Sequence, residues 1–141
     1  LGSIIRMAFF PAGNRLLTFV GQANPFVGNT FVVARVWDLP SGTLISQSQN
    51  FNGQLTNFDI TPDGSRILVV PTGSGDNTVY ILDAQAGGIV HGLNSGRIVT
   101  DAEFSPDGST VVVGEYLNSS VRLWNTTTGA VIRTIGAITS R

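Results

Sequence analysis

The chain has 141 residues, a net charge of −1 and only 12% charged residues, compared with about 25% in typical soluble domains. This balance excludes a strong positive field for nucleic-acid binding, and no segment has the roughly 20 consecutive apolar residues that cross a bilayer, so we expect neither partner. The chain has no cysteine, which excludes disulfides, thiolate catalysis and cysteine-ligated zinc and fits a reducing compartment such as the cytoplasm.

One pattern of four predicted β-strands occurs three times, over residues 4–50, 55–93 and 98–135. In each unit a Pro-x-Gly turn joins the first two strands, and a second glycine turn precedes a more polar fourth strand. The predicted strands in chain order are Ile4–Phe10, Arg15–Val20, Phe31–Trp37, Thr43–Gln49, Thr56–Ile60, Arg66–Val70, Thr78–Leu82, Ile89–Leu93, Val99–Phe104, Thr110–Gly114, Val121–Trp124 and Ala130–Ile135.

The Pro-x-Gly turns follow from backbone chemistry. Proline fixes φ near −65° at the first central position, and glycine two residues later adopts a positive φ without a Cβ clash. The turn glycines Gly13, Gly64 and Gly108 lie 51 and 44 residues apart, and the glycines of the second turn, Gly42, Gly87 and Gly129, lie 45 and 42 residues apart. Four strands repeated with a period in the forties are typical of the blades of a β-propeller.

The distribution of apolar residues supports stacked blades. The second strands contain nearly unbroken apolar runs, such as Ile67–Val70 and Val111–Val113, which predict a strand covered on both faces. A two-sheet sandwich would instead favour alternation of apolar and polar residues in most strands. We therefore predict an all-β fold of three four-stranded antiparallel propeller blades forming a single partial propeller over residues 1–141.

Two third strands resemble those of WD-repeat propellers: Ala34-Arg35-Val36-Trp37-Asp38 and Val121-Arg122-Leu123-Trp124-Asn125. The resemblance covers essentially the whole chain and implies structural roles for Trp37, Trp124 and Asp76. The chain departs from the family pattern in lacking the Gly-His dipeptide before each first strand. In the second unit, Leu82 occupies the position that tryptophan has in the other two units. A related propeller group with Asn-Thr-Val-x-Ile-Asp third strands resembles the second unit equally well.

Three blades are too few for a closed ring, because propellers have 4–8 blades. The two terminal blades would each expose an apolar face, which is a solubility liability. We expect further blades from a longer parent chain or from a second copy in a homo-oligomer. The units look like whole blades, which favours the longer parent chain.

No pattern in the sequence indicates catalysis, a metal site or a cofactor, so we expect a non-enzyme. His91 is the only histidine, and Asp38, Asp63, Asp83 and Asp107 fall at turns, where aspartate accepts hydrogen bonds from backbone amides.

The resemblance implies a protein-binding scaffold, and five residues are candidates for partner binding. Phe26 and Asn29 lie in a long loop between the second and third strands of the first unit, and loops on rigid scaffolds often carry binding. Arg6, Asn57 and Asp101 occupy equivalent positions in the three first strands, near the face with which WD-repeat proteins bind partners. The alternative is a small-molecule or carbohydrate-binding or hydrolytic propeller assembled from several chains.

Overall fold

The computed structural model describes residues 2–23, 26, 30–72, 75, 77–117 and 119–136. The described part of the chain forms β-strands joined by turns and contains no helix that could span a membrane. In chain order the strands are β1 (Ser3–Phe9), β2 (Arg15–Ala23), β3 (Thr30–Asp38), β4 (Leu44–Gln47), β5 (Phe51–Asn52), β6 (Gln54–Ile60), β7 (Arg66–Thr72), β8 (Thr78–Asp83), β9 (Ile89–Asn94), β10 (Val99–Phe104), β11 (Thr110–Glu115), β12 (Ser120–Asn125) and β13 (Val131–Gly136).

These strands form three antiparallel sheets in which sequence neighbours pair: β1–β5, β6–β9 and β10–β13, called blades 1, 2 and 3. The predicted all-β fold of four-stranded antiparallel blades is therefore confirmed. The departure in strand number is in blade 1, where β4 corresponds to the predicted strand Thr43–Gln49 and a further short piece, β5, lies beyond its predicted end. Both pieces pair with β3, because β3 is nine residues long and extends beyond the four residues of β4.

The Pro-x-Gly turns close each first hairpin with a positive φ at glycine, of 78° at Gly13, 71° at Gly64 and 75° at Gly108. In each turn the glycine N–H donates to a carbonyl three residues earlier, as Gly13 does to Phe10 at 2.8 Å. A Cβ in this backbone region clashes with the chain itself, which explains why glycine occupies the position in all three blades.

The first strand of every blade carries a register shift at the same place, between Ile4 and Arg6, between Leu55 and Asn57, and between Val99 and Asp101. Such a bulge adds one residue and reverses the alternation of side chains beyond it. Ile4 and Met7 of β1 therefore share a face although they are three residues apart. The same spacing recurs in blade 2 and in blade 3.

Two apolar cores lie between the blades. The first seam, between blades 1 and 2, packs Leu17, Phe19 and Val36 against Ile67 and Leu82. In the second seam, between blades 2 and 3, the core is built from Leu68, Val70, Val79, Ile81, Leu93, Val99, Ala102, Phe104, Val111, Val113 and Trp124. Blade 2 is thus covered on both faces, as the apolar run in β7 predicts, while blades 1 and 3 each have one face that no other blade of the described chain covers.

Candidate functional site

The connection between β2 and β3 is the longest between neighbouring strands of one blade, and it carries the most exposed aromatic side chain of the described residues. Phe26 is 93% exposed. Asn29, predicted to act with Phe26, lies outside the described residues. An exposed phenyl ring can insert into a pocket of a partner, since buried aromatic anchors contribute much of the energy of protein interfaces.

A groove of about 380 Å³ lies at the base of this connection, across the first seam. Its walls are the end of β2, the start of β3 and the start of β6, with Ile5 and Leu55 supplying apolar surface. Gly21 also lines the groove, and the Ile5 side chain packs directly over it: a Cβ at Gly21 would lie 3.1 Å from Ile5 Cγ2. The groove combines apolar side chains with main-chain atoms, which suits an extended polypeptide segment.

The structure brings together two of the three predicted residues on the first strands. The Asn57 amide donates to Asp101 Oδ1 and, at 3.0 Å, to the carbonyl of Ala102, so both residues take part in the contact between blades 2 and 3. Arg6 is exposed on β1 in blade 1, at the start of the series of blades.

The two tryptophans occupy one repeat position but differ in their polar contacts. Trp37 Nε1 donates to Thr18 Oγ1 at 2.9 Å. Trp124 is only 8% exposed, and its Nε1 has no hydrogen-bond partner among the described residues. The strand register explains the difference, because Val113 occupies in blade 3 the position that Thr18 occupies in blade 1.

The third predicted structural residue, Asp76, lies outside the described residues.

At the opposite end of the blades a second cavity, of about 260 Å³, crosses the second seam between the turns of Asp63 and Asp107. Hydrogen bonds from the backbone and hydroxyl of Ser65 lower the pKa of Asp63 to about 2. Hydrogen bonds from the Ser105 hydroxyl and from Ser109 lower the pKa of Asp107 to about 2 as well. Both carboxylates are therefore ionised at neutral pH and are bound to their own turns, which leaves neither as a general acid.

Hydrogen bonds to the turns also lower the pKa values of Asp38 and Asp83, chiefly from Ser41 and from the Ala86 amide respectively. His91 lies at the second seam, where its Nε2 donates to the carbonyl of Thr127 at 2.8 Å. Within the described ranges, no group of three or more His, Asp or Glu side chains is arranged to hold a metal ion.

Sequence reasoning missed two polar arrangements. Asp59 of β6 accepts hydrogen bonds from the amides of Ile60 and, across the second seam, of Phe104, both at 2.8 Å. The side chain of Glu115 is fully buried and lies 3.2 Å from the guanidinium of Arg122. A signal existed for Glu115, because a carboxylate directly after the apolar run of β11 needs a cation to be buried.

The comparisons with known proteins agree with this geometry. The family model for the WD domain, G-beta repeat, matches residues 89–125, which run from β9 through β12. U3 small nucleolar RNA-associated protein 21 of Saccharomyces cerevisiae (strain ATCC 204508 / S288c) is 25% identical over 89 residues, covering 63% of this chain and 9% of that protein. The crystal structure of the Myceliophteria thermophila Cps50 (Swd1) beta-propeller domain is similar with a TM-score of 0.70 and 16% identity, covering 95% of this chain and 43% of that one. The chain thus spans a small part of the curated relative and less than half of the solved propeller domain.

Proposed function

We propose that this chain is a segment of a WD-repeat β-propeller and acts as a non-catalytic scaffold that binds other proteins, since residues 89–125 match the family model for the WD domain and the fold is that of a propeller. WD-repeat propellers typically bind proteins, but a fold alone does not specify a partner. The proposal therefore rests on the groove across the first seam and on the exposed Phe26 ring in the connection between the two strands that line it.

The groove favours a polypeptide partner over a small polar ligand. Its apolar lining comes from Ile5, Phe31 and Leu55, and among the described residues no ionisable side chain lines it. A sugar or a charged metabolite would need several converging polar side chains, whereas an extended peptide can place one apolar side chain in the groove. We expect the partner to present an aliphatic or aromatic residue next to a second apolar residue that contacts Phe26.

The strand residues Arg6, Asn57 and Asp101 complete the proposed binding surface. Their position at the bulge places them near the start of each first strand, and Ile5 and Leu55 beside them line the groove. Asn57 and Asp101 form a fixed polar pair, while Arg6 provides a cation for an acidic residue of the partner.

The test is selection of a phage-displayed peptide library on the immobilised chain, followed by affinity measurement of the enriched peptides. Phe26→Ala should weaken binding about tenfold or more, because the loss of an aromatic anchor costs more than about 1.4 kcal/mol. The same change should alter the free energy of unfolding by less than about 0.5 kcal/mol, since the ring is exposed.

Leu117→Ala is the matched control. Leu117 is 86% exposed and lies in the β11–β12 connection, which corresponds in blade 3 to the connection of Phe26. Its substitution should leave the selected peptides bound. Peptide affinity that is unchanged in Phe26→Ala removes the proposed site, and a sugar or metabolite that raises the melting temperature by several degrees contradicts the choice of a protein partner.

A further inference from the structure

Blade 1 exposes the apolar face that its neighbours bury. We call Ile4, Met7 and Phe9 the first face; they are 61%, 66% and 70% exposed. Their equivalents at the same distance from the Pro-x-Gly turn of blade 3, Val99, Ala102 and Phe104, are only 4%, 2% and 5% exposed. The equivalents in blade 2, Leu55, Phe58 and Ile60, pack on the core of the first seam. In blades 2 and 3 the preceding blade covers these equivalent residues.

Blade 3 exposes the complementary half of the same interface. We call Val112, Val121, Leu123 and Ile135 the last face, and Ile135 is 52% exposed. By strand register their equivalents in blade 2 are Leu68, Val79, Ile81 and Leu93. All four of those side chains are 0% exposed because blade 3 covers them.

A polar contact at the rim accompanies each internal seam. In the first seam, Ser46 Oγ of the outer strand donates to the carbonyl of Ala84 in the next blade at 2.7 Å. In the second, the equivalent outer-strand residue, His91, donates to Thr127. Register places Arg133 at this position of blade 3, where it is exposed and where a guanidinium can donate to a carbonyl in the same way.

The turn that receives this contact contains a glycine pressed against the preceding blade. A Cβ at Gly87 would lie 2.4 Å from the carbonyl oxygen of Gln47, and one at Gly129 would lie 2.7 Å from the ring of His91. The equivalent glycine of blade 1 is Gly42, with the same positive φ, and a Cβ there would meet nothing within 4 Å. The space beside Gly42 corresponds to that filled by an outer strand at the other two glycines.

We propose that two copies of this chain associate head to tail, with the last face of each copy packed on the first face of the other. Each copy carries both halves of an interface that it already builds twice internally, so a second copy needs no new kind of contact. Two equal junctions bury both apolar faces of both copies at once. The resulting ring has six blades, within the range of 4–8 in which propellers close.

The first experiment is the solution mass of the 141-residue chain by light scattering, which should be twice 14.9 kDa. Phe9→Lys and Leu123→Glu, placed on opposite faces, should each give a folded monomer. Mixing the two variants should restore the dimer, because one junction is then unmodified and the other pairs a lysine with a glutamate. A monomeric unmodified chain overturns the proposal, and a mixture that stays monomeric overturns the head-to-tail arrangement.

A second variant keeps the test independent of buried charge. Gly42→Asn should reduce dimer affinity at least tenfold, because asparagine tolerates a positive φ but its side chain would enter the opposing outer strand. Gly96→Asn has a comparable φ of 72° and open space, and it lies in the connection between blades 2 and 3, on neither of the two proposed faces, so it should leave the dimer intact. Equal affinities for the two variants would overturn the proposed contact. Neither variant alters the Phe26 groove, so loss of peptide binding and loss of dimerisation are separate results.

Discussion

The two seams join equivalent strands and both carry a hydrogen bond at the rim, yet the first is filled by paired aromatic rings, whereas the second adds hydrogen bonds between its first strands β6 and β10. Across the first seam Phe19 packs on Phe58 with ring centroids 5.0 Å apart, and Phe51 packs on Tyr80 at 4.8 Å. Across the second seam Asp59 accepts from the Phe104 amide. The Asn57 amide reaches Asp101 in the same seam, and His91 reaches Thr127.

The size of one residue accounts for much of this difference. Phe58 of blade 2 and Ala102 of blade 3 occupy the same position of the first strand. The phenyl ring fills the first seam, whereas alanine lets β10 lie directly against β6, so that short polar side chains reach the neighbouring main chain. A large side chain and a set of hydrogen bonds are thus two solutions to the same packing problem.

The largest expected contrast between the seams lies at the turn glycines. Gly87→Ala should lower the free energy of unfolding by about 3 kcal/mol, because a positive φ costs about 1–2 kcal/mol and the new Cβ would lie 2.4 Å from a main-chain oxygen. Gly129→Ala should cost only about 1–2 kcal/mol, since the His91 side chain in its way can rotate. Chemical denaturation of both variants measures the difference. Equal losses of unfolding free energy would show that the main chain near Gln47 shifts as readily as the His91 side chain.

An intermediate effect is expected from the inner strands. Asp59→Ala should lower the free energy of unfolding by about 2 kcal/mol, because it leaves the amide of the buried Phe104 without an acceptor. Asp59→Asn retains one side-chain oxygen and should cost less than Asp59→Ala. If the two variants unfold at the same denaturant concentration, the hydrogen bond does not stabilise the second seam.

The smallest effect concerns the indole of Trp124 in the second core. Val113→Thr should raise the free energy of unfolding by about 1 kcal/mol by giving Trp124 Nε1 the acceptor that Thr18 gives Trp37. Thr18→Val, the reverse change in blade 1, should lower it by a similar amount. Equilibrium denaturation monitored by tryptophan fluorescence measures both changes. A lower unfolding free energy for Val113→Thr would mean that burying the hydroxyl costs more free energy than its hydrogen bond to Trp124 contributes.

The features that sequence predicted are those set by local chemistry. Turn glycines need a positive φ, and Asp63 and Asp107 bind the amides of Ser65 and Ser109, two residues further along the chain. Such patterns act over a few residues and repeat in register, so the strands and their antiparallel order could be read directly.

Features that depend on two blades together were not predicted. The role of Asp59 requires the amide of Phe104, 45 positions away, and a close approach that the small Ala102 permits. The additional strand β5 of blade 1 depends on how far β3 extends, which the composition of β5 does not specify. The groove at the first seam likewise forms only when β6 packs beside β2 and β3.

The closely packed strand pairs of the described chain lie within one blade or between consecutive blades. Duplication or deletion of one whole repeat therefore preserves every type of junction that remains, since each blade meets only the blade before it and the blade after it. Insertion of a single residue into β7 would instead exchange the two sets of side chains that this strand presents to its neighbours. Variation among genes that encode such chains is thus expected to proceed by whole repeats, with length changes inside a repeat confined to its connections.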